Sequence, residues 1–144
     1  MIYTEQTKKA MCLCFKAHRD QTDKVGVPYV FHPFHLAEQM TDEKTTVAAL
    51  LHDVVEDTGY TFEDLAQMGF DADVIAALRL LTHDPALPYM DYVAALKPNP
   101  IARAVKLADL AHNSDLTRFA PCEIDEWALK RQEKYQKAIA FLQS

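Results

Sequence analysis

The chain has 144 residues and carries 15 lysines and arginines against 21 aspartates and glutamates, which gives a net charge of −6. This length suits one domain with a substantial core, and the acidic balance excludes the basic surface typical of DNA- and RNA-binding proteins. No apolar run is long enough to span a membrane, and the first residues do not resemble a signal peptide.

The first part of the chain predicts helices separated by loops. Residues 4–18 form the first helix, and an irregular loop over 19–31 precedes a second helix at about 33–40. Asp42 is a typical N-cap residue for a third helix, which ends before Gly59. Four side chains of the first helix are expected to face the core: Ala10, Leu13, Cys14 and Ala17.

The following elements are also helical, and capping residues mark where they start. Residues 61–64 form a capping box for a short helix, and Asp71 caps another that reaches Leu81. Two prolines interrupt the chain before a short helix that ends near Lys97. Asn99, with a proline directly after it, starts the next helix.

A final helix over about 123–143 completes a fold that is predicted to be all-α, since only three glycines occur and no segment alternates like a strand. The helix over 101–113 is apolar almost all round, which predicts a central, buried position. The final helix has a mixed apolar face: Trp127, Leu129, Tyr135, Ile139 and Leu142.

Four ionisable side chains interrupt the apolar third helix. On a continuous helix His52 and Glu56 lie one turn apart, as do Asp53 and Asp57, so all four share one arc. Unpaired charge on so apolar a helix is costly. No lysine or arginine occurs between 45 and 78 to form a local ion pair. The arc therefore indicates a bound metal.

Two further residues extend this predicted metal set. His32 lies among aromatic residues where the second helix should begin, and Asp109 lies in the middle of the apolar helix. His32, His52, Asp53 and Asp109 together offer imidazole and carboxylate ligands, a mixture that suits Mn, Fe, Co or Zn. Any one of the four taken alone is better explained by a hydrogen bond in the core.

Three segments resemble the HD phosphohydrolase superfamily, and in particular the hydrolase domain of RelA/SpoT-type enzymes and the stand-alone small alarmone hydrolases. They are G-x-P-Y-V-x-H-P at 26–33, ALLHDVVEDT at 49–58 and VKLAD-x-x-HN at 105–113. They occur in the family's order, and the resemblance covers about residues 5–118. A histidine–aspartate pair alone is weak, whereas these longer segments are specific.

The resemblance implies a single HD hydrolase domain over residues 1–144, without the synthetase domain of the bifunctional relatives. It implies a divalent transition metal, with Mn²⁺ as the expected ion. Glu56 and Asp57 match the family's catalytic pair, which orients or deprotonates the attacking water. The implied reaction is hydrolysis of guanosine 3′,5′-bis(diphosphate) at its 3′-pyrophosphate, with release of pyrophosphate.

Substrate contacts are also carried over from the resemblance. Lys24, Lys106 and Asn113 match family positions that face phosphate or ribose, while solvated charge explains Lys24 equally well. Arg19 is a further candidate with the same alternative. Tyr29 either stacks on a base or packs in the core.

Two other histidines near these motifs receive no ligand role. His112 is expected to be structural, and His35, although it follows His32 by three residues, is not used by the family.

Several residues differ from the family at positions that would lie near the nucleotide base. Asp23 stands where an arginine packs against guanine, and Leu110 where another arginine is usual. A family glutamate is Val27 here, and the expected threonine is Leu116, with Thr117 one step late. We therefore expect a weak KM, little discrimination between guanosine and adenosine nucleotides, and tighter binding on Asp23→Arg.

Two alternatives stay open. The chain could hydrolyse another nucleotide or phosphate ester, or act as a nucleotide-binding sensor with low turnover. Three cysteines, at 12, 14 and 122, predict reduced thiols and a cytoplasmic protein, because their number is odd and the C-x-C pair points to different helix faces. The expected partner is a small nucleotide, with no DNA, RNA or membrane, and the oligomeric state stays undetermined.

Overall fold

A computed structural model describes all 144 residues, from Met1 to Ser144. Nine α-helices follow one another along the chain: α1 (Glu5–His18), α2 (Phe31–Glu38), α3 (Glu43–Leu51), α4 (Val54–Asp57), α5 (Phe62–Gln67), α6 (Ala72–Leu81), α7 (Tyr89–Leu96), α8 (Pro100–Asn113) and α9 (Glu126–Gln143). Two 3₁₀ turns, Leu116–Arg118 and Pro121–Glu123, lie between α8 and α9. The predicted all-α class is confirmed.

Side-chain caps fix most helix starts where the sequence predicts them. Asp42, Asp71 and Asn99 accept hydrogen bonds from the first turns of α3, α6 and α8. Thr61 and Asp64 form the predicted reciprocal capping box of α5. The final helix begins three residues later than predicted because Asp125 is its cap.

The core is built around α3, which packs against α1, α2, α6 and α8. Every residue of α3 from Thr45 to Leu51 is buried. Helix α8 packs against α2, α3, α6 and α9, which confirms its predicted central position. The prediction that it is buried was wrong for most of its surface, because α8 buries only one face. Trp127 and Leu129 on α9 are each 51% exposed, so they do not belong to the apolar face of that helix.

The predicted third helix is divided in two. Helix α3 ends at Leu51, and Asp53, with φ −109° and ψ 3°, forms the bend before α4. The backbone conformation at Asp53 lies in the sparsely populated bridge region that is common at active sites. The bend directs His52 toward α2 and α8, and leaves Asp53 beside the carboxylates of α4. The single arc expected of a continuous helix is therefore replaced by two adjacent groups.

The loop before α2 forms a small hairpin. Thr22 and Pro28 make an antiparallel bridge, which is the sole β-type pairing. Gly26 has φ +84°, a conformation that favours glycine. Both Val25 and Val27 donate backbone hydrogen bonds to the Asp23 carboxylate, which closes the turn. None of the helices combines the length and apolar character needed to cross a membrane.

Candidate functional site

The site lies where α2, α8 and the bend between α3 and α4 meet. His32, His52 and Asp109 come from these three elements and are 5%, 5% and 7% exposed. His32 Nε2 lies 2.9 Å from Asp109 Oδ1, and His52 Nε2 lies 3.7 Å from the same oxygen. One ligand atom of each residue falls within 4.8 Å of the other two. This His/His/Asp group could hold a divalent metal.

The hydrogen bonding of His52 tests whether a cation fits this group. His52 Nδ1 lies 2.7 Å from the carbonyl oxygen of Ala49, so Nδ1 carries a proton and donates it. Nε2 is buried and has no hydrogen-bond partner. It nevertheless lies 3.1 Å from Asp53 Oδ2 and 3.7 Å from Asp109 Oδ1. A nitrogen lone pair aimed at two carboxylates is stable only with positive charge between them, which either a proton on Nε2 or a metal ion supplies, so a cation fits this group.

The attraction between His52 and its neighbouring carboxylates also shifts the pKa values of His52 and Asp53. Burial alone would lower the pKa of His52, but the carboxylates of Asp53 and Asp109 raise it well above its usual range. Burial alone would raise the pKa of Asp53, but His52 lowers it. The pocket therefore stabilises a cation at His52 Nε2 and anions around it.

Asp53 joins the histidine group to a second, acidic group. Carboxylate oxygens of Asp53, Glu56 and Asp57 lie within 4.8 Å of one another. Tyr29 donates a hydrogen bond from its hydroxyl to Asp53 Oδ2, so this ring orients a carboxylate. Of the four predicted metal ligands, three form one cluster, and Asp53 adjoins it through His52. The ligand assignment itself stays a prediction.

Asp109 is held by three neighbours. Lys106 Nζ donates to Oδ2 at 2.9 Å, and Asn113 Nδ2 donates to Oδ1 at 2.9 Å, the oxygen that also faces His32. Burial would raise the pKa of Asp109, but Lys106 lowers it well below its usual range. The absence of a basic residue near the third helix in sequence was therefore misleading, because α8 supplies one. Lys106 and Asn113, predicted as substrate contacts, both orient this carboxylate.

The predicted catalytic pair lies beside the metal group at the surface. Glu56 Oε1 accepts a hydrogen bond from the backbone nitrogen of His83 at 3.0 Å, so the loop after α6 positions this carboxylate. Desolvation raises the pKa of Glu56, and the charges of Asp53 and Asp57 raise it further. Desolvation and Asp53 also raise the pKa of Asp57. A carboxylate with a raised pKa near a metal site is suited to accept a proton.

A cavity of about 490 Å³ opens next to these groups. Asp57 of the acidic group lines it, and so does Asn113, which donates a hydrogen bond to Asp109 of the metal group. Three cationic side chains and an aromatic ring also line it: Lys24, Arg118, Arg131 and Phe119. Asp23 and Asp57 also line the cavity, so three cations face two carboxylates. The excess of positive charge, in a chain of net charge −6, suits an anionic ligand.

Two of the cavity's cations, Arg118 and Arg131, were not predicted from the sequence. Arg131 Nη2 donates to the Asn113 carbonyl at 3.2 Å, and Arg118 Nη1 donates to the His112 carbonyl at 2.9 Å. Each therefore caps the end of α8, where basic groups are favoured. Neither lies in a recognisable motif, and only the folding of α9 and of the 3₁₀ turn onto α8 brings them to the cavity.

The remaining predicted substrate contacts differ in whether they line the cavity. Lys24 lines the cavity with its Nζ 3.6 Å from the centre of the Trp127 ring. Arg19 instead stacks on exposed Phe15, at 5.8 Å, and does not line the cavity. Tyr29 lines the cavity while bonding to Asp53, so it does not merely pack in the core.

Asp23 is engaged by other protein groups. Its Oδ2 lies 3.4 Å from Arg118 Nη2, and its Oδ1 accepts both hairpin hydrogen bonds. An arginine thus faces the cavity near position 23 although the residue at 23 is acidic.

Comparison with known proteins identifies several relatives. The chain is 36% identical over 132 residues to the guanosine-3′,5′-bis(diphosphate) 3′-pyrophosphohydrolase MESH1 of Danio rerio, covering 82% of this chain and 71% of the relative. It is 33% identical over 144 residues to the human MESH1 protein, covering 90% of this chain and 78% of the relative. A probable GTP pyrophosphokinase of Mycobacterium leprae is 34% identical, but the match spans only 16% of that longer protein.

A solved structure also matches across almost the whole fold. It belongs to a metazoan ortholog of SpoT that hydrolyses ppGpp and plays a role in starvation responses. The TM-score is 0.75 at 28% sequence identity, covering 99% of this chain and 87% of that chain. No protein-family model matches the sequence.

Proposed function

The chain belongs to the HD-domain family of RelA/SpoT-type small alarmone hydrolases, and we propose that it removes the 3′-pyrophosphate of guanosine 3′,5′-bis(diphosphate). One observation carries this proposal. The buried His/His/Asp group adjoins the acidic group of Asp53, Glu56 and Asp57 through the contact between His52 and Asp53. Asp57 in turn lines a cavity together with lysine and arginine side chains. A metal group, a proton acceptor and a phosphate-binding wall are the three parts that such a hydrolase needs.

His32, His52, Asp53 and Asp109 would hold the metal, and we propose Mn²⁺. When bound, such an ion lowers the pKa of water and neutralises charge that develops on the phosphate. The donor set supports this choice, because neutral imidazole combined with carboxylate oxygen suits first-row transition metals. Tyr29 and Lys106 act behind these ligands by orienting the Asp53 and Asp109 carboxylates.

Glu56 and Asp57 would deprotonate and orient the attacking water. The oxygen of water forms a bond to the phosphorus attached at the ribose 3′ position, the bond between that phosphorus and the 3′ oxygen breaks, and pyrophosphate is released. The 3′ oxygen becomes a hydroxyl with the proton that Glu56 has taken from the water. The proton of the water passes to Glu56, whose raised pKa suits this transfer. The hydrogen bond from the His83 backbone fixes the carboxylate during the reaction. Asp57 lines the cavity and orients the same water.

The cavity wall would bind the rest of the nucleotide. Lys24 and Arg131 are suited to its phosphates, since both are cationic and face the same space. Asn113 would contact a ribose hydroxyl or a phosphate oxygen. Lys106, predicted as a phosphate contact, does not line the cavity and would act through the Asp109 carboxylate that it orients. Arg118 and Phe119 would contact the base, because a guanidinium plane and an aromatic ring both stack on purines.

The wider setting follows from composition. We propose a small nucleotide as the ligand and no nucleic-acid partner, in keeping with the net charge of −6. A reducing, cytoplasmic location would keep the three cysteines as free thiols, as they are in the fold.

A second substrate class has specific support. The guanine-side position is Asp23, whose carboxylate is held by Arg118 and by the hairpin backbone. A wall with this arrangement could accept another nucleotide 3′-diphosphate, and the same metal chemistry would cleave it.

The decisive experiment measures pyrophosphate released from guanosine and adenosine 3′-pyrophosphates by the purified protein with Mn²⁺. We expect release from the guanosine compound, which disappears on chelation and in Asp109→Ala. Glu63→Gln, on the exposed surface of α5, is the control variant. A metal-loaded protein that releases no pyrophosphate from either nucleotide would contradict the proposal.

A further inference from the structure

His32 and His112 form a direct contact between their imidazole rings. Their Nδ1 atoms lie 2.7 Å apart, and the two rings are nearly parallel, with an interplanar angle of 9° and centres 5.0 Å apart. Two ring nitrogens at this distance require one proton between them, because two lone pairs would repel. The contact is therefore a nitrogen-to-nitrogen hydrogen bond in which one histidine donates and the other accepts.

The second ring nitrogen of His32, Nε2, determines which of the two histidines donates this hydrogen bond when a metal is bound. His32 Nε2 points to Asp109 Oδ1 at 2.9 Å and is the atom within reach of His52 and Asp109. A histidine that binds a metal through Nε2 keeps its proton on Nδ1. His32 must then donate from Nδ1, and His112 must accept at Nδ1 with its own proton on Nε2.

We infer that His112 is a positioning residue, which fixes the proton position and ring orientation of His32 for metal binding. Metal-binding histidines usually donate their second N–H to a carboxylate, a carbonyl or water. Here a neutral imidazole occupies that place. This role goes beyond packing and beyond the site residues already named; it rests on the proposed metal group but not on the identity of the substrate.

Two further contacts hold His112 in place. The exposed His35 ring stacks on it at 4.2 Å, and Arg118 donates to its carbonyl oxygen at 2.9 Å. Neither contact uses the Nδ1 atom that faces His32. His35 therefore provides a matched control, since it is a histidine on the same helix as His32 that touches His112 without bonding to the predicted ligand.

The test is metal affinity, measured by competition of Mn²⁺ or Zn²⁺ with a chelator and without any nucleotide. His112→Phe keeps a ring but removes the acceptor, and should weaken binding by about 10–100-fold, the usual effect of losing such a partner. His112→Asn keeps an acceptor oxygen near the position of Nδ1 and should restore most of the affinity. His35→Phe should match wild type.

Nitrogen-15 NMR of the wild-type protein loaded with Zn²⁺, a diamagnetic ion, tests the inference without any substitution. His32 should carry its proton on Nδ1 and show coupling across the hydrogen bond to His112. A proton on His32 Nε2, a wild-type protein that binds no metal, or wild-type affinity in folded His112→Phe would overturn the inference. Normal metal binding without nucleotide hydrolysis would contradict only the proposed function.

Discussion

Lys106 donates a hydrogen bond from Nζ to Oδ2 of Asp109 at 2.9 Å, one turn away on α8. Their side chains are 13% and 9% exposed, so the pair is largely shielded from water. Lys44 and Asp73 form a pair of similar length, 2.6 Å, but their side chains are 46% and 66% exposed. The molecule thus contains a buried and an exposed version of one interaction.

Lys106→Met should destabilise the metal-free protein by about 3 kcal/mol, because it leaves the Asp109 carboxylate buried without its cation. Lys44→Met should cost less than about 1 kcal/mol, since water screens the exposed pair. Urea unfolding of both variants measures the difference. Added Mn²⁺ should recover part of the Lys106→Met loss, since the ion also compensates Asp109. Equal losses in the two variants would show that burial does not decide the strength of this pair.

Metal content should depend on the histidine group. His52→Ala and Asp109→Ala should each lose the bound metal and the activity, and a chelator should abolish activity in the wild type. Elemental analysis of the purified proteins gives the metal content. Glu63→Gln is the control, because Glu63 is exposed on α5 and belongs to neither group of candidate ligands. Full activity in metal-stripped wild type would rule out the metal assignment.

Glu56→Gln should separate catalysis from metal binding. The amide keeps the size of the side chain but cannot accept the proton, so turnover should fall by roughly 10²–10⁴-fold while metal content stays near normal. Initial rates and elemental analysis on the same sample test both statements. If the variant folds but loses its metal, Glu56 is a ligand and the assigned role is wrong.

Asp23→Arg should weaken nucleotide binding, which reverses the expectation drawn from sequence. The new guanidinium would face Arg118, and the hairpin would lose an acceptor for two backbone N–H groups. We expect a higher KM with little change in kcat. The KM of Asp23→Asn, which keeps an acceptor oxygen, should lie between those of the wild type and Asp23→Arg. A lower KM in Asp23→Arg would restore the original expectation.

The three thiols should differ in reactivity. Burial raises the pKa of Cys14 to about 12, so it stays a neutral thiol at neutral pH, whereas Cys12 and Cys122 are exposed. A thiol reagent at neutral pH should label two cysteines in the native protein and the third only after denaturation. Rapid labelling of Cys14 in the native state, identified by mass spectrometry, would contradict the buried position.

Local signals predicted the fold well. Asp42, Asp71 and Asn99 act through hydrogen bonds within four residues, so sequence alone identifies them. The bend at Asp53 was missed because it depends on contacts with Tyr29 and the acidic group rather than on local preference. Any element whose shape depends on contacts between residues far apart in sequence is equally hard to predict.

The residues of the candidate site also fall into those predicted from local motifs and those missed because long-range packing places them. His32, His52 and Asp109 were found because their motifs are compact and specific, and the fold brings them together. Arg118 and Arg131 were missed because they reach the cavity only through the docking of a 3₁₀ turn and α9 against the end of α8. Long-range packing of this kind leaves no periodic pattern in the sequence.

The cavity lining and the histidine group beside it come from different parts of the chain. The residues proposed to contact the base lie on the hairpin near Asp23 and on the turn that carries Arg118, whereas the histidine group lies on core helices. No residue of the hairpin is among the three side chains of the histidine group. A change of the hairpin could therefore alter nucleotide recognition without replacing any residue that would hold the metal.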